Sequence, residues 1–230
     1  MKWISDGVGE PRRPWYEREE IERIVAENVS AFSDTSSVGV LDLEAFAEQQ
    51  CGVSLDQYAV LPHTILGVTV FGASERCRVL INRALSEAAD DSAASTATIG
   101  RWRATLAHEI GHVLLHRILH LHRHDQVELF PRNHGPLDIV EMRCLRRDVA
   151  TENATHWREV QANVAMASLL MPAGRFSEAF DRHVVVARQL VNGGARALVS
   201  SLAQEFVVSR QATLIRISEL GLAASSMRLI

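Results

Sequence analysis

His108, Glu109, Ile110, Gly111 and His112 form an HExxH run inside a stretch of helical spacing from Ile99 to Leu119. Histidines four apart on a helix lie one above the other on the same face, so both imidazoles can reach one ion. Glu109, beside them, carries the carboxylate needed to activate a water next to that ion. Such a set supplies metal-assisted hydrolysis, with zinc as the expected ion.

HExxH gives two ligands and a base and leaves the site one protein ligand short. The extended form of the motif needs glycine at position 115 and histidine at 118; Leu115 and Ile118 stand there, so that class is excluded. The other common solution takes a glutamate from a second helix packed on the first. Glu159 is the candidate, on a helical pattern from Trp157 to Leu170 whose Ala162, Ala165 and Ala167 allow close approach. Asn163, one turn on, shares its face and can hydrogen-bond a ligand. Glu141, Glu152, His134 and His156 are rivals for the third ligand, placed in loops or near segment ends where a fixed geometry is harder to hold. His116 continues the four-residue spacing, but a helical turn rises about 5.4 Å, which carries it past the roughly 2.0–2.1 Å bond of an ion held by the other two. It is read as supporting or packing beside a ligand, and His120, His122 and His124 as solvated. Tyr58, His134 and His156 are candidates for a second donor to the oxyanion.

The elements that position these residues follow from pattern. Helical spacing covers Trp15 to Phe32 and Asp42 to Gln50, the latter closed by Gly52. Leu66 to Phe71 and Arg78 to Asn82 read as two strands joined by a tight connection. Glu87 to Thr98, mostly Ala, Ser, Asp and Thr, reads as a loop that delivers the chain to a motif helix beginning near Gly100. Leu121 to Thr155 reads as a long irregular flap, with only Leu137 to Leu145 faintly helical. After Trp157 to Leu170, ended by Pro172, comes an amphipathic helix from Phe176 to Leu190, then the linker Asn192, Gly193, Gly194. The fold class expected is α+β: a mainly helical core with a small β-sheet, then C-terminal helices. The expected divisions are an N-terminal helical segment (1–34), a core (35–191) and a C-terminal pair of helices (195–230).

Composition bounds the rest. With 230 residues, 47% of them hydrophobic, the chain can bury a sizeable core. A net charge of -4 argues against a broad nucleic-acid footprint. The first fourteen residues hold Asp6, Glu10, Arg12, Arg13 and two prolines in place of an apolar run, and no later stretch suits a bilayer, so a soluble cytoplasmic protein with no membrane partner is expected. Cys51, Cys77 and Cys144 are odd in number and widely spaced, and read as reduced packing residues.

Thr105 to His116 (TLAHEIGHVLLH) and Glu159 to Pro172 (EVQANVAMASLLMP) together resemble the paired helices of the ImmA/IrrE family of metallo-endopeptidases. The resemblance extends upstream to LDLEAFAEQQCGV and a strand ending in Ile81 and Asn82; Ala165 and Met166 depart from the family's usual Phe-Ala. It implies a zincin-like, gluzincin-type core with one catalytic Zn2+, in which His108, His112 and Glu159 match the ligands and Glu109 the base. It also implies a protein substrate, a DNA-binding helix-turn-helix repressor of mobile elements or stress responses, cut at one site. No further DNA-binding or sensor domain is expected on this chain.

Ala195 to Leu222 scans as helix, turn, helix, similar to the helix-turn-helix region that follows the protease core in that family. As a DNA reader its second helix would expose Ser209, Arg210, Gln211, Thr213 and Arg216. Alternatively, Ala197, Leu198, Leu202, Phe206, Leu214, Ile217 and Leu220 form a face docked on the core or a partner, and this reading is favoured over direct DNA binding because no basic excess is present. Two other classes stay open: a non-catalytic metal-binding or DNA- or protein-binding regulatory module, against which the intact Glu109 argues, and a zinc hydrolase of a substrate other than protein.

Overall fold

The motif stretch becomes helical at Ser95, whose extended backbone and hydroxyl, accepting from the Thr98 amide at 3.2 Å, cap the first turn. The helix, α4, runs Thr96–His116 in the computed structural model, which describes residues 2–4, 13–32, 39–71, 77–119, 140–145, 157–189 and 193–222. It starts earlier than expected because Gly100 is a contact point and not a boundary: a Cβ there would lie 3.3 Å from the Val207 and Val208 backbone.

Ahead of α4 stand α1 (Arg18–Ala31), α2 (Leu43–Ala45), which runs on through a π-helical turn over Phe46–Gln50, and α3 (Arg83–Asp90). After it come α5 (Trp157–Leu170), α6 (Ala173–Ala187), α7 (Gly194–Glu205) and α8 (Arg210–Glu219). The segment expected to be a loop from Glu87 holds the end of α3. Asn82 caps that helix through the Ala84 amide at 3.0 Å, and its buried face, Leu85 and Ser86, lies just upstream of where the polar composition begins.

Six strands are described: β1 (Lys2–Ile4) and β2 (Arg13–Trp15), paired antiparallel, and β3 (Ser54–Ala59), β4 (Ile65–Phe71), β5 (Arg78–Asn82) and β6 (Val140–Leu145). The last four form one mixed sheet in the order β3, β5, β4, β6, with β3 parallel to β5 and β4 antiparallel to both its neighbours. β6 replaces the faint helix expected over 137–145. Backbone pairing with the long flank of β4, from Ile65↔Leu145 to Phe71↔Val140, outweighs a weak local spacing.

β4 is buried along its whole length. Val68 and Val70 pack on one face with Leu80 and Leu61, while Phe71 joins the main core on the other, beneath α4. That core draws on Ile21 and Val25 of α1, Phe46, Leu106 and Ile110 of α4, Leu169 of α5, Phe176 and Phe180 of α6, Leu198 and Leu202 of α7, and Ile217 of α8. α7 and α8 are therefore docked on the helical core. Leu198, Leu202, Phe206 and Ile217 of the expected docking face are buried, whereas Leu214 is exposed. Two residues expected to be exposed for DNA reading are not: Thr213 and Arg216 are buried. The Arg216 guanidinium is spent inside, donating from Nε to the Met171 carbonyl at 3.0 Å and from Nη1 to Glu22 at 2.8 Å. Among the described residues, no helix is long and apolar enough to cross a membrane.

Candidate metal centre

His108 and His112 lie one turn apart on α4, both fully buried, with their Nε2 atoms 3.1 Å apart. α5 runs beside α4 in the opposite direction, and Gly111 sets how closely. A Cβ on Gly111 would stand 3.0 Å from the Ala162 carbonyl oxygen and 3.1 Å from the Ala165 Cβ. That approach brings Glu159 to the pair: its Oε2 is 3.1 Å from His108 Nε2 and its Oε1 3.5 Å from His112 Nε2. A tetrahedral ion with bonds of roughly 2.0–2.1 Å separates its donors by about 3.3–3.4 Å. The three separations bracket that value, so the group could hold a small divalent cation, and two imidazoles with one carboxylate are a donor set suited to a first-row metal.

The charges respond to this crowding. Burial drives the Glu159 carboxyl up, but hydrogen bonds and charge from His108 and His112 prevail and hold it well below the usual carboxylate range. Burial likewise depresses His108, yet Glu159, Glu109 and Asn163 together hold it above its ordinary value. His112 goes the other way, lowered to about 4, chiefly by burial. Without a cation, then, a proton on His108 faces the Glu159 carboxylate across the space where the ion would sit.

Glu109 points from α4 towards β4. The Thr69 hydroxyl, fully buried on β4, hydrogen-bonds its Oε2, while Oε1 is buried with no hydrogen-bond partner among the described residues. A Cβ on Gly67 would lie 2.7 Å from that Oε1, so glycine is what leaves room for it. Burial pushes the Glu109 carboxyl up to about 7, against opposing pulls from His108 and Thr69.

The outward nitrogens of both imidazoles are occupied. His108 Nδ1 is 2.9 Å from Asn163 Oδ1, and His112 Nδ1 is 3.0 Å from His116 Nδ1, whose Nε2 is 3.2 Å from Gln161 Oε1. His116 thus stands behind His112, away from the donor triangle, and burial keeps it well below its ordinary pKa. Glu141 falls on β6, whose side chains are not described; Glu152, His134, His156, His120, His122 and His124 lie outside the described residues. Tyr58 sits on the far edge strand β3, half exposed, with its hydroxyl donating to Asp90 at 2.7 Å, and is not part of this group.

The family model of the IrrE N-terminal-like domain, a peptidase family, matches residues 95–218, more than half of the chain. The chain belongs to this ImmA/IrrE-type metallopeptidase family. No curated protein matches it. The span shared with the IrrE N-terminal-like domain opens on the Ser95 cap of α4 and closes within α8, so it takes in His108, Glu109, His112 and Glu159 together with the docked C-terminal helices. Gly67 and Thr69, which contact Glu109, lie ahead of it. Sequence reasoning misses both, since a threonine and a glycine in a strand carry no signal of a partner forty residues on. Gln161 was findable: with Glu159 and Asn163 it makes an alternating polar trio on a helix otherwise rich in alanine and aliphatic residues.

Proposed function

We propose that the chain is a zinc-dependent metallo-endopeptidase in which His108, His112 and Glu159 hold one Zn2+ and Glu109 is the general base. What supports this reading is one coincidence: a donor triangle of 3.1–3.5 Å edges beside a buried carboxylate oxygen that no described protein group satisfies. Zinc bound there would supply a Lewis acid, lowering the pKa of water towards about 7 and stabilising negative charge on a peptide carbonyl. Glu109 Oε1 is free to take the proton of the attacking water, and Thr69 keeps Oε2 in place while it does so. The Glu109 carboxylate can accept that proton and, as the carboxylic acid, return it to the leaving nitrogen. Asn163 and His116 hold the two imidazoles in orientation meanwhile.

The substrate class rests on the family resemblance: a DNA-binding helix-turn-helix repressor cut at a single site, in the cytoplasm, so that proteolysis relieves repression. Three measurements test the proposal. Metal analysis of the gently purified chain is expected to give one zinc per molecule. Incubation with a repressor encoded beside its gene is expected to give two fragments from one cut. Glu109→Gln is expected to keep the zinc and lose cleavage by about 10²–10⁴-fold. A chain with no stoichiometric zinc and a melting temperature indifferent to chelator would instead be a regulatory module without catalysis, and a Glu109→Gln variant that still cuts the same bond would refute the role given to Glu109.

A further inference from the structure

For a buried imidazole to bind a cation through Nε2, its hydrogen must sit on Nδ1, and that buried N–H needs an acceptor. His108 has one directly, Asn163 Oδ1 at 2.9 Å. His112 does not. Its Nδ1 faces another imidazole nitrogen, His116 Nδ1, at 3.0 Å. That atom accepts only if His116 carries its own hydrogen on Nε2, and His116 Nε2 faces Gln161 Oε1 at 3.2 Å, an atom that can only accept. With a cation on His112 Nε2 the links therefore have a single consistent direction: His112 Nδ1–H donates to His116 Nδ1, and His116 Nε2–H donates to Gln161 Oε1. Reversed, the hydrogen of His112 falls on Nε2 and shuts that atom to a metal.

We propose that His116 and Gln161 are positioning residues that fix the tautomer of His112, with the Gln161 oxygen setting the direction of the whole relay. This rests on the metal-centre reading above. Both residues are buried, and the Trp157 ring packs at 89° to the His116 ring with centroids 5.4 Å apart, which restricts rotation of the imidazole. Gln161 Nε2 is buried with no hydrogen-bond partner among the described residues. A leucine would avoid that cost, so an amide kept here points to a use for its oxygen. α5 then carries Glu159 and also the terminal acceptor for each ligand imidazole, Asn163 for one and Gln161 for the other, on either side of the Ala162 and Ala165 line that packs against Gly111.

Nitrogen-15 spectra of histidine-labelled, zinc-loaded full chain read the tautomers directly. The expected pattern is His112 with its hydrogen on Nδ1 and His116 with its hydrogen on Nε2. Competition titration with a chromophoric chelator then gives zinc affinity: Gln161→Leu and His116→Phe are expected to bind about 10–100-fold more weakly. Gln161→Glu, which keeps an acceptor and has no N–H, is expected to bind like the wild type. A merely packing role would let leucine and phenylalanine pass and would leave the tautomers undirected. A zinc-loaded wild type with hydrogen on His116 Nδ1, or a folded Gln161→Leu that binds zinc as tightly as wild type, overturns the relay. Should Gln161→Leu fail to fold, the wild-type spectrum decides alone. A wild type that takes up no zinc is a different result, one that removes the metal-centre reading itself.

Discussion

Gly67 lacks a side chain where Glu109 needs the space, and that is a packing constraint on a strand residue set by a helix. In Gly67→Ala the new Cβ would meet Glu109 Oε1 at 2.7 Å and both Glu109 Cγ and the Thr105 methyl at 3.0 Å, so the Glu109 side chain must move and Thr105 give by a few tenths of an ångström. Zinc uptake is expected to be unchanged and peptide hydrolysis to fall by about 10–100-fold, as measured by metal analysis and turnover side by side. Glu109 also leaves a mark on stability. Burial raises its carboxyl from 4.5 to about 7, so the folded chain binds this proton more tightly than the unfolded chain; the contribution is complete below pH 4.5 and is lost as pH rises through 7. Glu109→Gln has no proton to lose. In chelator, its stability relative to wild type is therefore expected to rise between pH 4.5 and 7, as read from urea midpoints, by an amount that Glu109 and His108 set together because each shifts the other. His112, lowered from 6.5 to about 4, loses its contribution in the opposite sense as pH falls, in both proteins, and so cancels from the difference. At this scale the sequence is legible where spacing along one helix is the geometry, as for His108, Glu109 and His112. It is silent on Gly67 and Thr69, which meet Glu109 only through the sheet.

Elements were legible in proportion to how far their own residues determine them. α4 and α5 carry strong apolar spacing and small residues at their contact, and both stand within a few residues of the expected bounds. β3 and β6 owe their state to partners far along the chain, β5 and β4 respectively, and no local pattern announces a strand edge waiting for them. The turn between α7 and α8 is a third case, in which the residue type works against the conformation. Val207 adopts φ 51°, the left-handed region that a β-branched side chain tolerates poorly, and it is held there by the Val208 amide donating to the Ala203 carbonyl at 3.0 Å and by the fit of the turn against Gly100. Val207→Gly removes the clash while keeping the turn, and is expected to raise stability by about 0.5–1 kcal/mol in thermal or denaturant unfolding. An unchanged or lower midpoint would mean that the packing of the valine outweighs its strain.

At the scale of the molecule, the C-terminal helices share one buried cluster with α4 and α5, the helices that carry the candidate ligands, and Arg216 adds a polar tie beside it. Its guanidinium joins α8 to α1 through Glu22 at 2.8 Å and to the Met171 carbonyl at 3.0 Å, at the corner where α5 turns into α6. α5 is the helix that carries Glu159, so α8 anchors the far end of that helix, beyond its last turn. Arg216→Met fills similar volume without a donor. The Met171 carbonyl then loses a charged partner, while Glu22, its side chain 24% exposed, can regain water; the cost expected is about 1–3 kcal/mol, less than for a pair buried on both sides. Because the core is continuous from α1 to α8, loss of that tie is expected to lower the midpoint of one cooperative transition. Zinc should raise that midpoint in wild type and variant alike, by mass action on the folded state. Calorimetry with and without zinc reads both effects. A separate low-temperature transition for α7 and α8, indifferent to zinc, would show that these helices fold apart from the rest of the core.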